Sequence, residues 1–324
     1  MTHAIRIHQI GGPEVLQWEA IEVGKPAANE IRIRHGAVGL NYIDTYHRSG
    51  AYPIETPATP GLEAAGVVEE IGVNVTDLKI GDRVAYASPP MGAYAEARLM
   101  PADMVVKVPH GISDVQAASM MLKGMTAEYL LRRTYAVKRG DSILVHAAAG
   151  GVGLILCQWA KHLGANVIGT VGDEKKAALA RAHGCDHTIL YRSEDFAAKV
   201  ADITGGKKCA VVYDGVGKDT FMRSLDCLQP LGLMAQYGAA SGPVPPFDLG
   251  LLAKKGALFI TRPTIMVYNA QRADLVKSAR ALFDVVQAGA VKIQINQTYA
   301  LKDAAQAHRD LESRSTTGST VFTI

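Results

Sequence analysis

A glycine-rich segment carries the sharpest chemical signal in this sequence. Residues 142–153 read SILVHAAAGGVG, an apolar run that passes through small residues into a helix-forming stretch. Ala147, Gly150 and Gly153 have the AxxGxxG spacing, a form of the dinucleotide fingerprint with alanine at the first glycine position. A pyrophosphate needs bare backbone N–H groups at a helix N-terminus, and small side chains permit that approach. The spacing predicts a dinucleotide site; the alternative is a loop whose glycines only provide flexibility.

The end of the next predicted strand bears on which dinucleotide binds. Gly172 at the strand tip leaves space, and Lys175 or Lys176 can reach back from the first helical turn towards a 2′-phosphate. Asp173 and Glu174 would repel that phosphate, although the helix dipole alone also favours acidic residues at this position. The segment favours NADPH over NADH.

Strands and helices alternate regularly around the glycine-rich segment. Six apolar runs read as strands, namely Ser142–His146, Asn166–Val171, His187–Leu190, Cys209–Asp214, Leu231–Tyr237 and Leu258–Thr261. Helical patterns separate them, including one over Glu194–Thr204 with Ser193 as its expected N-cap. This alternation predicts an α/β fold with a doubly wound parallel sheet, the Rossmann arrangement.

The rest of the chain has a different pattern of predicted elements. Up to about residue 112 it reads as short strands separated by turns, and after Arg262 a mixture of helix and strand returns. We predict that this tail rejoins the β-rich first part. The expected domains are therefore 1–124 with 262–324, which form a discontinuous and mostly β catalytic domain, and 125–261, which binds the dinucleotide.

Composition excludes several other classes of protein. Among 324 residues, 34 are Lys or Arg and 31 are Asp or Glu, and no run of basic residues suggests a nucleic-acid partner. The four cysteines form no CxxC pair, which is typical of a reducing compartment. The N-terminus lacks the apolar core of a signal peptide, and the apolar stretch 143–160 is interrupted by His146, Gln158 and a Gly-Gly pair. We expect a cytoplasmic protein without a membrane span.

Motifs in a consistent order along the chain resemble a known family. They are GGPEVL (11–16), VGLNYIDTYHRSGAYP (38–53), PGLEAAGVV (60–68), GDRVAY (81–86), GAYAE (92–96), LKGMTAEYLL (122–131), AAAGGVG (147–153) and ESRSTTGS (312–319). The whole chain resembles the zinc-free, zeta-crystallin-like quinone oxidoreductases of the medium-chain dehydrogenase/reductase superfamily. The resemblance implies a GroES-like catalytic domain beside the dinucleotide domain, and a homodimer.

Departures from the zinc-dependent relatives indicate that no metal is used. Those enzymes place a ligand Cys where this chain has Asn41, and a ligand His where it has Leu62. The four cysteines of their structural zinc lobe are also missing from 91–101. A catalytic zinc needs three protein ligands, of which two are absent here.

The resemblance also assigns roles to individual residues. It implies a site between the two domains, with Asn41 and Thr126 near the nicotinamide and with Tyr46 and Tyr52 near the acceptor. A tyrosine hydroxyl could donate to the reduced oxygen, or both tyrosines could only shape their loop. Lys123 is another candidate proton donor, with an ion-pair or helix-surface role as the alternative.

Further implied positions concern the cofactor. The residues expected to contact NADPH lie at the glycine-rich loop, at strand ends and in the tail: Ala149, Gly150, Gly151, Val152, Gly172, Lys176, Tyr191, Gly215, Tyr237, Gly238 and Arg314. The expected activity is hydride transfer from NADPH to small quinones or similar conjugated carbonyls. The alternatives are a reductase of enone or enoyl C=C bonds, and a non-catalytic NADPH-binding protein of crystallin-like or RNA-binding type.

Overall fold

The computed structural model describes all 324 residues, and they form two compact units. The first contains Met1–Met125, Asn269–Gln287 and Ile293–Ile324, and the second contains Thr126–Tyr268 and Ala288–Lys292. The assignment of catalytic and cofactor roles to 1–124 with 262–324 and to 125–261 stays a prediction.

The first unit is built mainly of strands, with elements numbered along the whole chain. Its strands are β1 (Thr2–Arg6), β2 (Gln17–Ile21), β3 (Glu30–Leu40), β4 (Glu63–Ile71), β5 (Arg83–Ala87), β6 (Ala97–Pro101), β7 (Val106–Lys107), β14 (Ile295–Ala300) and β15 (Ser319–Thr323). Its helices are α1 (Tyr42–Ser49), α9 (Arg272–Gln287), α10 (Ala304–Glu312) and most of α2 (Asp114–Tyr129). The main sheet has the order β14-β15-β3-β4-β5-β7, and β6 also pairs with β3.

Strand β3 organises this sheet because it pairs antiparallel with β4, β6 and β15. Its sequence alternates as expected, with Ile31 and Ile33 fully buried while Arg32 and Arg34 contact Glu69. The buried face packs with aromatic and aliphatic residues of β5 and β15, including Tyr86 and Phe322. The C-terminal strand therefore belongs to the core of the β-rich unit.

Helix α1 was not predicted, because the first third of the chain reads as short strands separated by turns. It begins after Asn41, whose backbone N–H donates to the Asp44 carboxylate at 2.9 Å. It ends at Gly50, whose φ of 78° is the left-handed conformation that glycine adopts without strain. Asn followed by Asp three residues later is a local capping signal that could have predicted this helix.

The second unit confirms the predicted doubly wound parallel sheet. Its strands are β8 (Ser142–Val145), β9 (Asn166–Val171), β10 (His187–Leu190), β11 (Cys209–Asp214), β12 (Leu228–Gln236) and β13 (Phe259–Thr261). Its helices are α3 (Gly151–His162), α4 (Glu174–Ala182), α5 (Phe196–Ile203), α6 (Phe221–Ser224), α7 (Gly250–Lys254) and α8 (Ile265–Tyr268). Every pairing is parallel, in the order β10-β9-β8-β11-β12-β13. The order reverses between β8 and β11, which is where ligands bind in such sheets.

Several boundaries in this unit differ from the prediction, and two of the differences have a clear cause. Helix α5 is capped by Asp195 rather than by Ser193, because the Asp195 carboxylate accepts from the N–H groups of Ala197 and Ala198. Strand β12 begins at Leu228, three residues before the predicted start, since its pairing with β11 already begins there.

None of the helices combines the length and the apolar character needed to cross a lipid bilayer. The apolar stretch 143–160 is divided between strand β8 and helix α3, as the interrupting polar and glycine residues indicated.

Candidate functional site

The glycine-rich segment forms the turn between β8 and α3, beside the point where the strand order reverses. Ala147 has a φ of 52°, and its carbonyl accepts from Gly150 N at 2.9 Å. A left-handed residue is required here, which explains why the fingerprint favours glycine and why alanine costs about 1 kcal/mol of strain. Gly150 is the N-cap of α3, so the first N–H groups of that helix have no partner within it.

Within this turn, Gly153 is the position where a side chain is excluded most strictly. A Cβ there would lie 2.3 Å from the Ala147 carbonyl oxygen and 2.8 Å from the backbone of Ala148. A Cβ at Gly150 would approach only the Ala147 oxygen, at 3.1 Å. The turn is a cradle of backbone N–H groups at a helix N-terminus, and its geometry fits a pyrophosphate. Three other predicted loop residues lie in this turn or in the first turn of α3: Ala149, Gly151 and Val152.

Three more predicted cofactor residues pack together at this edge of the sheet. Gly215 follows β11, and Tyr237 and Gly238 follow β12. A Cβ at Gly215 would lie 3.0 Å from the ring of Tyr237, and one at Gly238 would lie 2.6 Å from the Gly215 oxygen. The buried carboxylate of Asp214 accepts from Val216 N at 2.7 Å and so fixes the loop after β11.

The end of β9 carries the predicted 2′-phosphate residues of this unit. Asp173 is the N-cap of α4, and its carboxylate accepts from Lys176 N at 2.8 Å. That carboxylate is therefore engaged by the helix. The Tyr191 N–H donates to the Val171 carbonyl at 3.2 Å, which places Tyr191 beside the tip where Gly172 stands.

Arg192 is a neighbour of this tip that the sequence reasoning did not include. Its guanidinium carbon lies 3.6 Å from the position that a Cβ on Gly172 would occupy. The signal that could have found it is a basic residue in the turn after β10, the strand that pairs with β9.

In the first unit, Asn41 and Lys123 share one carboxylate that the sequence reasoning also overlooked. The Asn41 side-chain amide donates to Glu63 at 2.7 Å, and the Lys123 ammonium donates to the same oxygen at 3.0 Å. The other Glu63 oxygen accepts from Leu122 N at 2.7 Å. Glu63 is fully buried and Lys123 is nearly so, hence this is an internal ion pair.

The tyrosines of the predicted acceptor site form an aromatic cluster around helix α1. The ring centroids of Tyr46 and Tyr52 are 5.1 Å apart, and Tyr42 and Tyr46 are 5.4 Å apart. The Tyr52 N–H donates to the Tyr46 carbonyl at 3.0 Å, and Tyr52 remains 38% exposed. The hydroxyl-bearing rings are therefore close together on an accessible part of this unit.

The two remaining predicted residues are placed as follows. Arg314 follows α10 in the first unit with a φ of 61°, whereas Lys176 and Tyr191 belong to the second. Thr126 lies in α2 at the start of the second unit, is buried, and hydrogen-bonds Tyr129.

A chain of buried hydrogen bonds connects Arg48 of α1, through His308 and Tyr94, to Asp44 of the same helix. Arg48 can only donate, so His308 Nδ1 accepts from it at 3.0 Å and the imidazole proton sits on Nε2, which donates to Tyr94. The Tyr94 hydroxyl in turn donates to Asp44 at 2.9 Å. Burial, with the nearby Arg48 guanidinium, lowers the pKa of His308 to about 3, which keeps the imidazole neutral.

Burial raises the pKa of Asp44 from 3.8 to about 7, against smaller opposite effects of the Asn41 and Tyr94 hydrogen bonds. Its second oxygen, Oδ1, is buried without a hydrogen-bond partner. The folded protein thus holds this proton more tightly than the unfolded chain does, and the Asp44 contribution to stability is lost as the pH rises from about 4 to about 7.

Asp44→Asn should therefore gain stability relative to the unmodified protein as the pH rises. The neutral amide keeps the acceptor for Tyr94 and has no charge to bury. We expect the difference in free energy of unfolding to grow by on the order of 3 kcal/mol between about pH 4 and about pH 7. Urea denaturation at both pH values measures it, with Asp202→Asn, an exposed carboxylate, as the control. A difference independent of pH would contradict a raised pKa.

No group of three or more His, Cys, Asp or Glu side chains is arranged to hold a metal ion. Leu62, at the position of the ligand histidine of the zinc-dependent relatives, is buried.

Comparisons with known proteins agree with this geometry. Residues 27–110 match the family model of the alcohol dehydrogenase GroES-like domain, and residues 151–283 match that of zinc-binding dehydrogenases. A quinone oxidoreductase of Pseudomonas aeruginosa is 51% identical over 323 residues, and a 2-haloacrylate reductase of a Burkholderia species is 49% identical over 332, each alignment covering 99% of both chains. The solved structure of Escherichia coli quinone oxidoreductase complexed with NADPH is 48% identical, with a TM-score of 0.98 over 100% of both chains.

Three observations support one assignment: the identity of about one half over the full length, the backbone cradle after β8, and the lack of a ligand residue at the two zinc positions, Asn41 and Leu62. The chain belongs to the quinone oxidoreductase family of the medium-chain dehydrogenases/reductases.

Proposed function

We propose that this protein is an NADPH-dependent quinone oxidoreductase, which transfers a hydride to small quinones or similar conjugated carbonyls without a metal. The observation that carries the proposal is the backbone cradle at Gly150 and Gly153, set where the strand order reverses. The family membership and the NADPH named for the Escherichia coli relative support the cofactor.

The residues that would hold the cofactor are grouped by the part of NADPH that each would contact. The turn residues Ala149, Gly150, Gly151 and Val152 would receive the pyrophosphate. The adenosine 2′-phosphate would lie near Gly172, Lys176, Tyr191 and Arg314, and the remaining contacts would come from Asn41, Thr126, Gly215, Tyr237 and Gly238. Bound NADPH supplies the hydride for the reaction.

The chain's own residues orient the acceptor and stabilise the charge that develops on it. Tyr46 and Tyr52 offer hydroxyls that donate to an oxyanion, and their rings can flank a planar molecule. Glu63 fixes the amide of Asn41. Its pairing with Lys123 favours a positioning role for that lysine over proton donation.

Rapid mixing with NADPH and 1,4-benzoquinone tests the activity directly. We expect saturable loss of the reduced-nicotinamide absorbance at a rate well above that of the uncatalysed reaction, and weaker binding of NADH. Absence of any catalysed NADPH oxidation would contradict the proposal.

A second candidate activity is reduction of an activated C=C bond, which the 2-haloacrylate reductase relative favours. Assays with 2-cyclohexenone and 2-chloroacrylate under the same conditions distinguish the two. Turnover of these acceptors without turnover of benzoquinone would replace the first proposal by the second.

For partners, we propose a homodimer through the edge strand β13. This strand pairs only with β12, and Phe259 on it is 59% exposed. An unpaired apolar edge favours pairing with a second copy. Analytical ultracentrifugation should give twice the chain mass of 34.5 kDa. Four free, buried cysteines support a reducing compartment such as the cytoplasm.

A further inference from the structure

Arg192 is an exposed arginine that follows β10 and Tyr191, and its guanidinium takes part in no hydrogen bond or ion pair. Most of the exposed basic side chains nearby are engaged. Arg181 donates to Thr188 at 2.6 Å, and Lys199 pairs with Glu194 at 3.3 Å. The five N–H donors of Arg192 are therefore available to a ligand.

The register of the sheet determines where these donors lie. Leu190 pairs with Val171, so the residues that follow each strand emerge side by side at the carboxyl edge. The Cζ and Nε atoms of Arg192 both lie 3.6 Å from the Cβ position of Gly172, and one terminal nitrogen lies at 3.8 Å. The guanidinium thus stands over the small space that the missing side chain of Gly172 leaves open.

In dinucleotide-binding sheets, the residues around this space select between NAD and NADP. NAD-binding proteins place a carboxylate at the end of this strand to hold the ribose hydroxyls, whereas a nearby arginine accommodates a 2′-phosphate. Here Gly172 follows the strand directly, and the Arg192 guanidinium faces the position where NAD-binding proteins have the acid.

The neighbouring carboxylates do not neutralise this cation. Asp173 caps α4 through Lys176 N. Glu194 accepts from Leu190 N at 2.7 Å in addition to its pairing with Lys199.

We propose that Arg192 binds the 2′-phosphate of NADPH and is a residue that sets the preference for NADPH over NADH. This inference rests on the proposed function and adds a contact beyond the residues that the family resemblance assigned. A planar guanidinium can give two parallel charge-assisted hydrogen bonds to a phosphate, which an ammonium cannot reproduce. Within the second unit, Arg192 and Lys176 would give the site two cations for a dianionic group.

Equilibrium titrations of Arg192→Gln with NADPH and NADH test the proposal without turnover. We expect the Kd for NADPH to rise about 10- to 30-fold, the scale of a lost hydrogen bond to a charged group, while the Kd for NADH changes less than about twofold. The same selective loss should occur for 2′,5′-ADP and not for 5′-AMP. The Kd of Arg192→Lys for NADPH should fall between those of Arg192→Gln and the unmodified protein.

Arg139→Gln is the matched control, because it removes the same charge from an exposed arginine that precedes β8, at the opposite edge of the sheet. It should leave both affinities unchanged. In Arg192→Gln, the KM for NADPH should rise together with its Kd.

Two results would overturn the inference. Equal weakening of NADPH and NADH would make Arg192 a structural residue, and no weakening of either would make it a solvated surface cation. Both leave the proposed oxidoreductase function standing, because that is decided by NADPH oxidation in the unmodified protein.

Discussion

Gly153→Ala should lower the free energy of unfolding by about 3 kcal/mol and raise the Kd for NADPH at least about 100-fold. The new methyl group would lie 2.3 Å from the Ala147 carbonyl oxygen, and the atoms that it meets are backbone. They cannot rotate away as a side chain would, so helix α3 must move off strand β8. That movement displaces the helix N-terminus that would receive the pyrophosphate.

Gly150→Ala is the control for this substitution, because it adds the same methyl group three residues earlier. Its φ of −80° suits any residue, and its only close contact is at 3.1 Å. For Gly150→Ala, urea denaturation followed by circular dichroism should show a decrease in the free energy of unfolding below about 1 kcal/mol. NADPH titration of both variants measures the change in Kd. Similar losses in the two variants would contradict the assigned packing role of Gly153.

The second large effect is expected at the buried ion pair. Lys123→Met should cost about 3–5 kcal/mol, because it leaves the fully buried Glu63 carboxylate without its cation. The remaining donors, Asn41 and Leu122 N, supply hydrogen bonds but no charge. Replacing both partners, as in Lys123→Met with Glu63→Gln, should recover much of the loss, since no buried charge then remains.

Lys107→Met provides the matched comparison. Lys107 pairs with Asp82 at 2.8 Å, but its side chain is 55% exposed, so that pair should contribute less than about 1 kcal/mol. Denaturation of both single variants and the double variant measures the difference. Equal effects of Lys123→Met and Lys107→Met would show that the Glu63 carboxylate is solvated after all.

Steady-state kinetics of Lys123→Met separate the two roles considered for this lysine. A proton donor would lower kcat specifically, and its effect would depend on pH. A positioning residue acts through Glu63 on Asn41. Its loss should therefore change KM and kcat together, and Glu63→Gln should reproduce that change.

The sequence alone was sufficient for features that arise within a short stretch of chain. The six parallel strands and the AxxGxxG turn were predictable because hydrophobic periodicity and turn chemistry are local. Helix α1 was missed although its Asn41–Asp44 cap is equally local, because the surrounding residues read as strands. Helix α5 was predicted with the wrong cap, since Ser193 and Asp195 are both plausible caps and only packing selects between them.

Contacts between distant segments were decided by the tertiary structure alone. Glu63 acquires its importance from Asn41 and Lys123, which are 22 and 60 positions away. The pKa of Asp44 is raised by burial among distant segments, against the opposing effect of the hydrogen bond from Tyr94. Arg192 becomes a candidate phosphate ligand only because parallel pairing carries it to Gly172. Sequence thus determined the family, the sheet and the cofactor turn. Burial and electrostatics act through space, so only the folded chain determined which side chains hold the site in place.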